Sequence, residues 1–252
     1  MTHTLLRIDA SARHEGSESR ALTQRIVDRL SPATVITRDL TVGVPLIDAE
    51  WLAAGWTPED QRTDAQRNTL ALSTALIDEL NQIWEAEQQK RHAFWAEGDE
   101  NVKAEFIEGE IIYHSATYFE HWSVSSNLIR LILPHIQKKS LGEIAFEKVM
   151  IRCTRNDYEP DICFWKKEVS DTFTPKQSAF PPPDFIVEIL SDSTESRDRG
   201  IKFIDYAKHG VTEYWIIDTN TKTIEQYILN TDKMKYELNL KVRDGKLKSV
   251  AI

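Results

Sequence analysis

Three polar residues with chemical potential stand in or beside apolar stretches of this chain: Asp161, Glu188 and Lys202. Glu188 has three apolar residues before it and two after it, a pattern typical of a strand that is buried on both faces. An unpaired carboxylate in such a place would be costly or would remain protonated. The sequence therefore predicts that a cation neutralises Glu188.

Two kinds of cation would serve Glu188. One is a divalent metal ion shared with a second carboxylate, and Asp161 is the candidate because it opens the apolar run Ile162–Trp165. Mg²⁺ (or Mn²⁺) prefers hard oxygen ligands, and a nearby ammonium group could orient the attacking water in metal-assisted hydrolysis. The other is a structural ion pair of Glu188 with Lys202 or Arg197. Spacing alone leaves both interpretations open.

The elements that must position these residues are short strands and one helix. Apolar runs predict strands at 162–165, 185–190 and 214–217. Ser193 or Thr194 is placed to cap a helix that ends at Gly210.

This helix carries both Lys202 and Tyr206. Their spacing of four residues puts the two side chains on the same helical face as Asp198. We expect that face to look toward Glu188.

Two further elements carry candidate polar residues. A hairpin is predicted over 102–113, with its turn at Glu108-Gly109 and with Glu105 in its first strand. A helix is predicted from Tyr118 to about Ile136, with His121 in its first turn.

We expect two further features of this helix. Leu131 should belong to its buried stripe, and Pro134 should kink or end the helix.

Several motifs of the second part of the chain resemble the Uma-two group of restriction-endonuclease-like proteins, within the PD-(D/E)XK nuclease superfamily. The matching segments are Glu159-Pro160-Asp161, Val187–Ser191, Arg197–Lys202 with Tyr206, and Gly210–Trp215. The resemblance implies a restriction-endonuclease-like α/β core over about 81–252, a mixed sheet flanked by helices. It also implies a Mg²⁺ or Mn²⁺ site formed by Asp161, Glu188 and the backbone carbonyl of Ile189.

The resemblance extends to residues with a proposed catalytic role. The superfamily lysine usually stands two residues after the glutamate, but Leu190 occupies that position here, and the lysine corresponds instead to Lys202. Tyr206 accompanies it. Glu105 and His121 match family positions that often face the active site. Their alternatives are an exposed strand acid and a surface or capping histidine.

The first eighty residues differ in composition from the remainder. Residues 1–80 contain no lysine, phenylalanine or tyrosine. All lysines, all 9 phenylalanines and all 7 tyrosines of the chain lie in residues 81–252. We interpret this break as the boundary of a fusion, with domains at 1–80 and 81–252.

The N-terminal segment begins as a strand, a serine-containing loop and an amphipathic helix. Such a loop can bind phosphate through Ser11, Ser17, Ser19 and free N–H groups at the helix start. Its residues 8–11 and 16–20 resemble flavodoxin-like, FMN-dependent NADH:quinone and azo-compound reductases, in which this loop binds the FMN phosphate. The alternative is a serine-rich turn with an N-cap.

The flavodoxin-like pattern is only partial, a βαβ-type segment. Flavin binds a doubly wound sheet where the strand order reverses, and the segment lacks the later strands. We therefore predict that residues 1–80 do not bind FMN and are loosely packed.

Composition bounds the remaining possibilities. The chain of 252 residues has a formal net charge of −9 and no apolar run long enough to span a membrane. Its two cysteines, without a Cys-x-x-Cys motif, suit a reducing compartment, so we expect a cytoplasmic protein. The acidic charge counts against nucleic-acid binding unless a local face is basic.

Together these features predict a metal-dependent endonuclease that hydrolyses DNA and that can pair as a homodimer. Two alternatives stay open. One is an FMN-dependent reductase activity of the N-terminal segment. The other is a non-catalytic, nuclease-like module that binds DNA or a protein.

Overall fold

The computed structural model describes residues 4–11, 13, 15–42, 47–98, 102–244 and 246–252. The chain divides into two compact units, residues 1–80 and residues 81–252, called here the N-terminal and C-terminal units. The composition break in the sequence falls at the same place. Within the described residues, no helix combines the length and the apolar character needed to cross a membrane.

The N-terminal unit contains a parallel strand–helix–strand arrangement. Its two strands pair in register from Thr4 opposite Thr34, and one helix connects them. This confirms the predicted partial βαβ segment. The elements are β1 (Thr4–Asp9), α1 (Glu18–Leu30), β2 (Thr34–Asp39), α2 (Ala49–Trp56) and the first part of α3 (Asp64–Glu97), with short 3-10 turns at Leu40–Val42 and Glu59–Gln61.

Packing within the N-terminal unit is loose, as predicted. Helix α1 has no buried residue, and its apolar face remains open: Leu22, Ile26 and Leu30 are 52, 45 and 57% exposed. A two-stranded sheet is too narrow to cover such a face.

The C-terminal unit contains two sheets and four helices besides the second part of α3, counted over its described residues. Its elements are β3 (Ala104–Ile107), β4 (Glu110–Tyr113), α4 (Phe119–Lys139), β5 (Gly142–Phe146), β6 (Met150–Arg152), β7 (Asp157–Tyr158), β8 (Ile162–Lys166), α5 (Lys167–Ser170), β9 (Ala179–Phe180), β10 (Phe185–Ile189), α6 (Glu195–Asp198), α7 (Ile201–Lys208), β11 (Glu213–Asp218), β12 (Thr223–Asn230) and β13 (Lys235–Val242).

The larger sheet has six strands in the order β13-β12-β11-β10-β8-β5. Strands β10 and β11 are parallel, whereas the other neighbours are antiparallel. The predicted mixed α/β sheet is thus confirmed. At its centre Val187 of β10 lies between Ile162 of β8 and Trp215 of β11.

Both faces of this sheet are buried. Ile186 packs in a cluster on one face, while Val187 and Ile189 pack in a second cluster on the other. Because side chains alternate along a strand, Glu188 projects from the same face as Ile186. Its strand is buried on both faces, as the apolar pattern predicted.

A second sheet of five strands, in the order β4-β3-β7-β6-β9, was not predicted. The hairpin that forms one edge of this sheet was predicted. Its strands β3 and β4 pair antiparallel, and the two turn residues, Glu108 and Gly109, both have positive φ (51° and 83°). Two successive residues with positive φ give the turn whose twist suits a two-residue hairpin.

Helix α4 differs from the prediction in two respects. It continues beyond Pro134 to Lys139, because Ile132 and Ile136 on its inner face pack against the large sheet and hold the last turn. Leu131 is 75% exposed rather than buried. Residues 128, 132 and 136 follow an i, i+4 ridge, and Leu131 lies beside that ridge.

The segment predicted as one helix to Gly210 is two short helices, α6 and α7. Gly200 between them has φ −109° and ψ −102°, which is not helical. Glycine gives the backbone freedom to leave the helix at little steric cost. The end of α7 is as predicted: Gly210 follows the cap residue with φ +79°.

Candidate active site

The two acids predicted as metal ligands come from neighbouring strands. Asp161 immediately precedes β8, and Glu188 lies in β10. The backbone N–H of Ile189 donates to Asp161 Oδ2 at 2.8 Å, which fixes the Asp161 carboxylate beside the residue that follows Glu188. The Asp161 carboxylate is therefore held next to the strand that carries Glu188.

Helix α7 contributes the partners of Glu188. Lys202 Nζ and the Tyr206 hydroxyl donate to Glu188 Oε1 at 3.0 and 2.9 Å. All three side chains are buried, with residue exposures of 3% for Glu188, 2% for Lys202 and 0% for Tyr206. Tyr206 thus orients the Glu188 carboxylate through a hydrogen bond from a fully buried hydroxyl.

The structural ion pair that the sequence left open as an alternative is also present, between Glu188 and Lys202. Arg197 does not replace Lys202 among the hydrogen-bond partners of Glu188 that the described residues provide. Geometry alone is thus compatible with a role for Lys202 as a counter-ion.

Glu105 belongs to the same group of side chains. It is fully buried, and Lys202 Nζ lies 2.9 Å from its Oε1. The backbone N–H of Glu159 donates to the same oxygen at 2.9 Å, and His114 Nε2 lies 3.0 Å from Oε2. The alternative of an exposed strand acid is therefore wrong for Glu105.

His121 reaches the other acid. Its Nε2 lies 3.1 Å from Asp161 Oδ2, and its side chain is 20% exposed. Lys103 Nζ lies 3.3 Å from Asp161 Oδ1. The sequence analysis missed Lys103, although its spacing of two residues from Glu105 places both on one face of an extended chain.

Two further acids complete the acid cluster, as we call the following set of side chains. Asp198 Oδ1 lies 3.2 Å from Lys202 Nζ, and Glu159 Oε2 accepts the Ala104 N–H at 3.2 Å. Among the described residues, the acid cluster comprises the carboxylates Glu105, Glu159, Asp161, Glu188 and Asp198 and the lysines Lys103 and Lys202.

Carboxylates outnumber lysines in the acid cluster, and the pKa values reflect this. Burial raises the pKa of Glu188 to about 8 despite the opposing charge of Lys202, and the charges of Asp198 and Asp161 add to the rise. Burial likewise raises the pKa of Asp198 against the same lysine. One lysine is therefore insufficient to keep all the deep carboxylates ionised.

Two carboxylates of the cluster behave in the opposite way. Burial acts to raise the pKa of Glu105, but Lys202 and His114 lower it to about 2. Burial acts in the same sense on Asp161, whereas the hydrogen bond from His121 and the charge of Lys103 bring its pKa to about 2. These two acids are charged at neutral pH.

The donor set fits a hard divalent cation. The available groups are carboxylate oxygens, which Mg²⁺ and Mn²⁺ prefer. A cation between Asp161 and Glu188 would also supply the positive charge that the deep carboxylates lack.

A second group of possible ligands lies apart from the acid cluster, at Cys153, Asp205 and His209. Both ring nitrogens of His209 in this group already take part in hydrogen bonds. The N–H of Thr154 donates to His209 Nε2 at 2.9 Å, and His209 Nδ1 lies 2.8 Å from the Asp205 carbonyl oxygen. Because both ring nitrogens are engaged, this group is a hydrogen-bonded bridge between α7 and the turn before β7.

The serines of the N-terminal loop form contacts within their own loop. Ser17 caps α1 by accepting the Arg20 N–H at 3.4 Å, and its hydroxyl lies 3.1 Å from that of Ser19. The Arg20 guanidinium donates to the Ser11 carbonyl at 2.7 Å and to Asp39 at 2.7 Å. The serine-rich turn with an N-cap is present.

The mixed sheet and its central acids define a restriction-endonuclease-like α/β domain. Residues 86–250 match the Uma2 family, described as "Putative restriction endonuclease", and the chain belongs to this family. A crystal structure from Anabaena variabilis, described as a "putative nuclease belonging to DUF820", is similar with a TM-score of 0.48 and 20% identity, over 56% of this chain and 78% of that chain.

The N-terminal segment is similar to different proteins. The FMN-dependent NADH:quinone oxidoreductase 1 of Jannaschia sp. is 54% identical over 80 residues, which are 32% of this chain and 41% of that protein. The protein of the same name from Hahella chejuensis is 46% identical over 80 residues, 30% of this chain and 39% of that protein. The chain spans about two-fifths of the length of these curated relatives.

Proposed function

We propose that the C-terminal unit is a metal-dependent endonuclease that hydrolyses phosphodiester bonds of DNA. The observation that carries the proposal is the hydrogen bond from the Ile189 N–H to Asp161, which holds one acid of β8 against the strand segment that carries Glu188. Family membership supports the same reaction class.

Asp161, Glu188 and the carbonyl of Ile189 would hold Mg²⁺ or Mn²⁺. When bound, the metal lowers the pKa of a coordinated water and stabilises the negative charge of the transition state. Lys202 and Tyr206 orient the Glu188 carboxylate by hydrogen bonds at 3.0 and 2.9 Å. The chain thus pre-positions its ligands with buried partners.

His121 and Glu105 have separate roles in this proposal. His121, partly exposed and beside Asp161, is placed to take up the proton that the attacking water loses. Glu105, buried on Lys202, fixes the position of that ammonium group. We take DNA as the substrate because the chain belongs to a family described as restriction endonucleases, and because a divalent metal suits hydrolysis of a negatively charged ester.

The test is metal-dependent nicking of supercoiled DNA by the whole chain. Asp161→Asn and Glu188→Gln preserve side-chain shape and keep one oxygen, which can accept the Ile189 N–H in the first variant and the Lys202 and Tyr206 donors in the second, yet remove the charge that binds metal. We expect each to lower the nicking rate by at least about 10²-fold, since the metal supplies several kcal/mol of transition-state stabilisation.

Asp171→Asn is the matched control, because Asp171 is an exposed acid paired with Lys167. It should nick DNA at the wild-type rate. Unchanged nicking by the Asp161→Asn, Glu188→Gln double variant would reject the assignment. DNA binding without turnover in the wild type, retained in both variants, would favour the non-catalytic module instead.

A further inference from the structure

We propose that Lys103, not Lys202, is the catalytic lysine of this site, and that its ammonium group contacts a non-bridging oxygen of the scissile phosphodiester. This inference rests on the proposed nuclease function. It changes the assignment suggested by the family resemblance, in which the lysine after the glutamate corresponds to Lys202.

Lys202 is surrounded by acids of the protein itself. Its Nζ lies 2.9 Å from Glu105, 3.0 Å from Glu188 and 3.2 Å from Asp198. Three carboxylates therefore lie within ion-pair distance of this one ammonium group, and Glu188 accepts a hydrogen bond from it. The side chain is 2% exposed, against 27% for that of Lys103, so it is the less accessible of the two lysines.

Lys103 lies at the solvent side of the same cluster. Its side chain is 27% exposed, and its Nζ contacts Asp161 Oδ1 at 3.3 Å. His121, on the other oxygen of Asp161, is 20% exposed. Exposure thus rises from Lys202 to Lys103, and Lys103 and His121 are partly exposed neighbours of Asp161 that an approaching DNA phosphate could contact.

The backbone of Lys103 is held in place by the hairpin. Its carbonyl accepts the His114 N–H at 3.0 Å, which extends the pairing of β3 and β4 by one step. The next residue, Ala104, donates its N–H to Glu159. The ammonium group is therefore carried by a fixed strand end, as the positioning of a reacting group requires.

A lysine side chain is ordinarily protonated at neutral pH, and Lys103 keeps a carboxylate oxygen of Asp161 3.3 Å from its Nζ. A protonated amine donates hydrogen bonds and stabilises a phosphorane-like transition state without transferring its own proton.

The chemical step needs no further reactant. The water oxygen forms a bond to phosphorus while the ester P–O bond breaks. One proton of the water passes to His121, and the leaving oxygen takes a proton from bulk water. Lys103 stays protonated throughout, and its role is to stabilise the charge that develops on the phosphoryl oxygens.

The experiment compares Lys103→Ala, Lys202→Met and the exposed control Lys167→Gln in the whole chain, with Mn²⁺ and a DNA oligonucleotide duplex. Removing Lys103 should lower kcat by about 10²–10³-fold, a typical effect of losing one preorganised donor. Its KM should change little, and added methylammonium should restore part of the kcat. Lys167→Gln should equal the wild type.

Lys202→Met should lower the melting temperature, because it leaves three buried acids without their counter-ion, and methylammonium should not restore its activity. Wild-type kcat in Lys103→Ala, beside an inactive Asp161→Asn, would overturn the inference and leave the proposed function standing. A raised KM with unchanged kcat would make Lys103 a binding residue only and would overturn its catalytic role. A wild-type chain without metal-dependent cleavage would overturn both.

Discussion

The two units of this chain differ in how their polar and apolar side chains are accommodated. In the N-terminal unit the apolar residues of α1 remain exposed, and Arg20 pairs with Asp39 at side-chain exposures of 14 and 21%. In the C-terminal unit the core strands are buried, and even charged groups such as Lys202 and Glu188 lie inside. Buried charge is costly unless it is paired, and here Lys202 and Glu188 pair with each other at 3.0 Å.

The comparison teaches that similarity of sequence and completeness of a site are separate matters. The N-terminal segment has the higher identity to named enzymes, 54% over 80 residues, but only two paired strands among its described residues. The C-terminal unit matches its family over 86–250 and assembles acids from four different segments: β3, the link between β7 and β8, β10 and α6. A site formed between strands needs the strands on both sides.

The largest expected contrast concerns packing. Ile186→Ala, at a fully buried position, should lower the free energy of unfolding of its unit by about 2–5 kcal/mol through lost burial and a cavity. Ile26→Ala on α1, where the side chain is 45% exposed, should change stability by no more than about 0.5 kcal/mol. Hydrogen exchange of peptides from each unit, followed over a urea series, measures both. Equal losses would show that α1 packs as tightly as β10.

A smaller contrast concerns pH. The pKa of Glu188 is raised from 4.5 to about 8, so between these values the folded chain holds a proton that the unfolded chain has released. The free energy of unfolding of the metal-free C-terminal unit should therefore fall as pH rises through this window, by roughly 1–3 kcal/mol. Glu105 and Asp161 act oppositely, since their lowered pKa values make them stabilising above about pH 4.

Thermal unfolding of chelator-treated protein at about pH 5.5, 7 and 8.5 tests this pH dependence, because these values sample the interval between the unfolded and folded pKa of Glu188. Glu188→Gln should flatten the slope, because the amide does not titrate. A wild-type slope that is already flat, or that rises with pH, would show that Glu188 is ionised in the folded state.

The smallest expected signal concerns flavin. We expect purified protein, mixed with excess FMN and passed through a desalting column, to retain far less than one FMN per chain. Ser17 caps α1, the Ser19 hydroxyl lies against that of Ser17, and the segment spans about two-fifths of the reductases it resembles. A yellow protein with near-stoichiometric flavin absorption and NADH oxidation would establish the reductase alternative. It would show that the N-terminal unit holds a complete binding site.

Much of the acid cluster could be predicted from sequence. Glu188 was evident because a carboxylate among five apolar neighbours needs a partner, and Asp161 because it opens the next apolar run. Lys202 and Tyr206 followed from helical spacing. Lys103 was missed: its spacing of two residues from Glu105 places it on the same face of an extended chain, but nothing local indicates its contact with Asp161, which joins residues 58 positions apart.

Local sequence was also insufficient at several element boundaries. Pro134 was expected to kink or end α4; it does not end the helix, because packing of the inner face against the large sheet carries the helix to Lys139. Gly200 divides the helix that carries Lys202, and nothing in the pattern of apolar residues announced this. At Pro134 the deciding interactions come from another element, the large sheet, whereas at Gly200 the backbone itself leaves the helical conformation.

By itself, the sequence determined which strands are buried and which carboxylates they carry, because apolar periodicity and the cost of a buried charge act locally. The tertiary structure alone decided which cation meets which acid and which lysine faces solvent. Those outcomes depend on distances between side chains far apart in the chain, and the fold fixes these distances only when both sheets and α7 have packed.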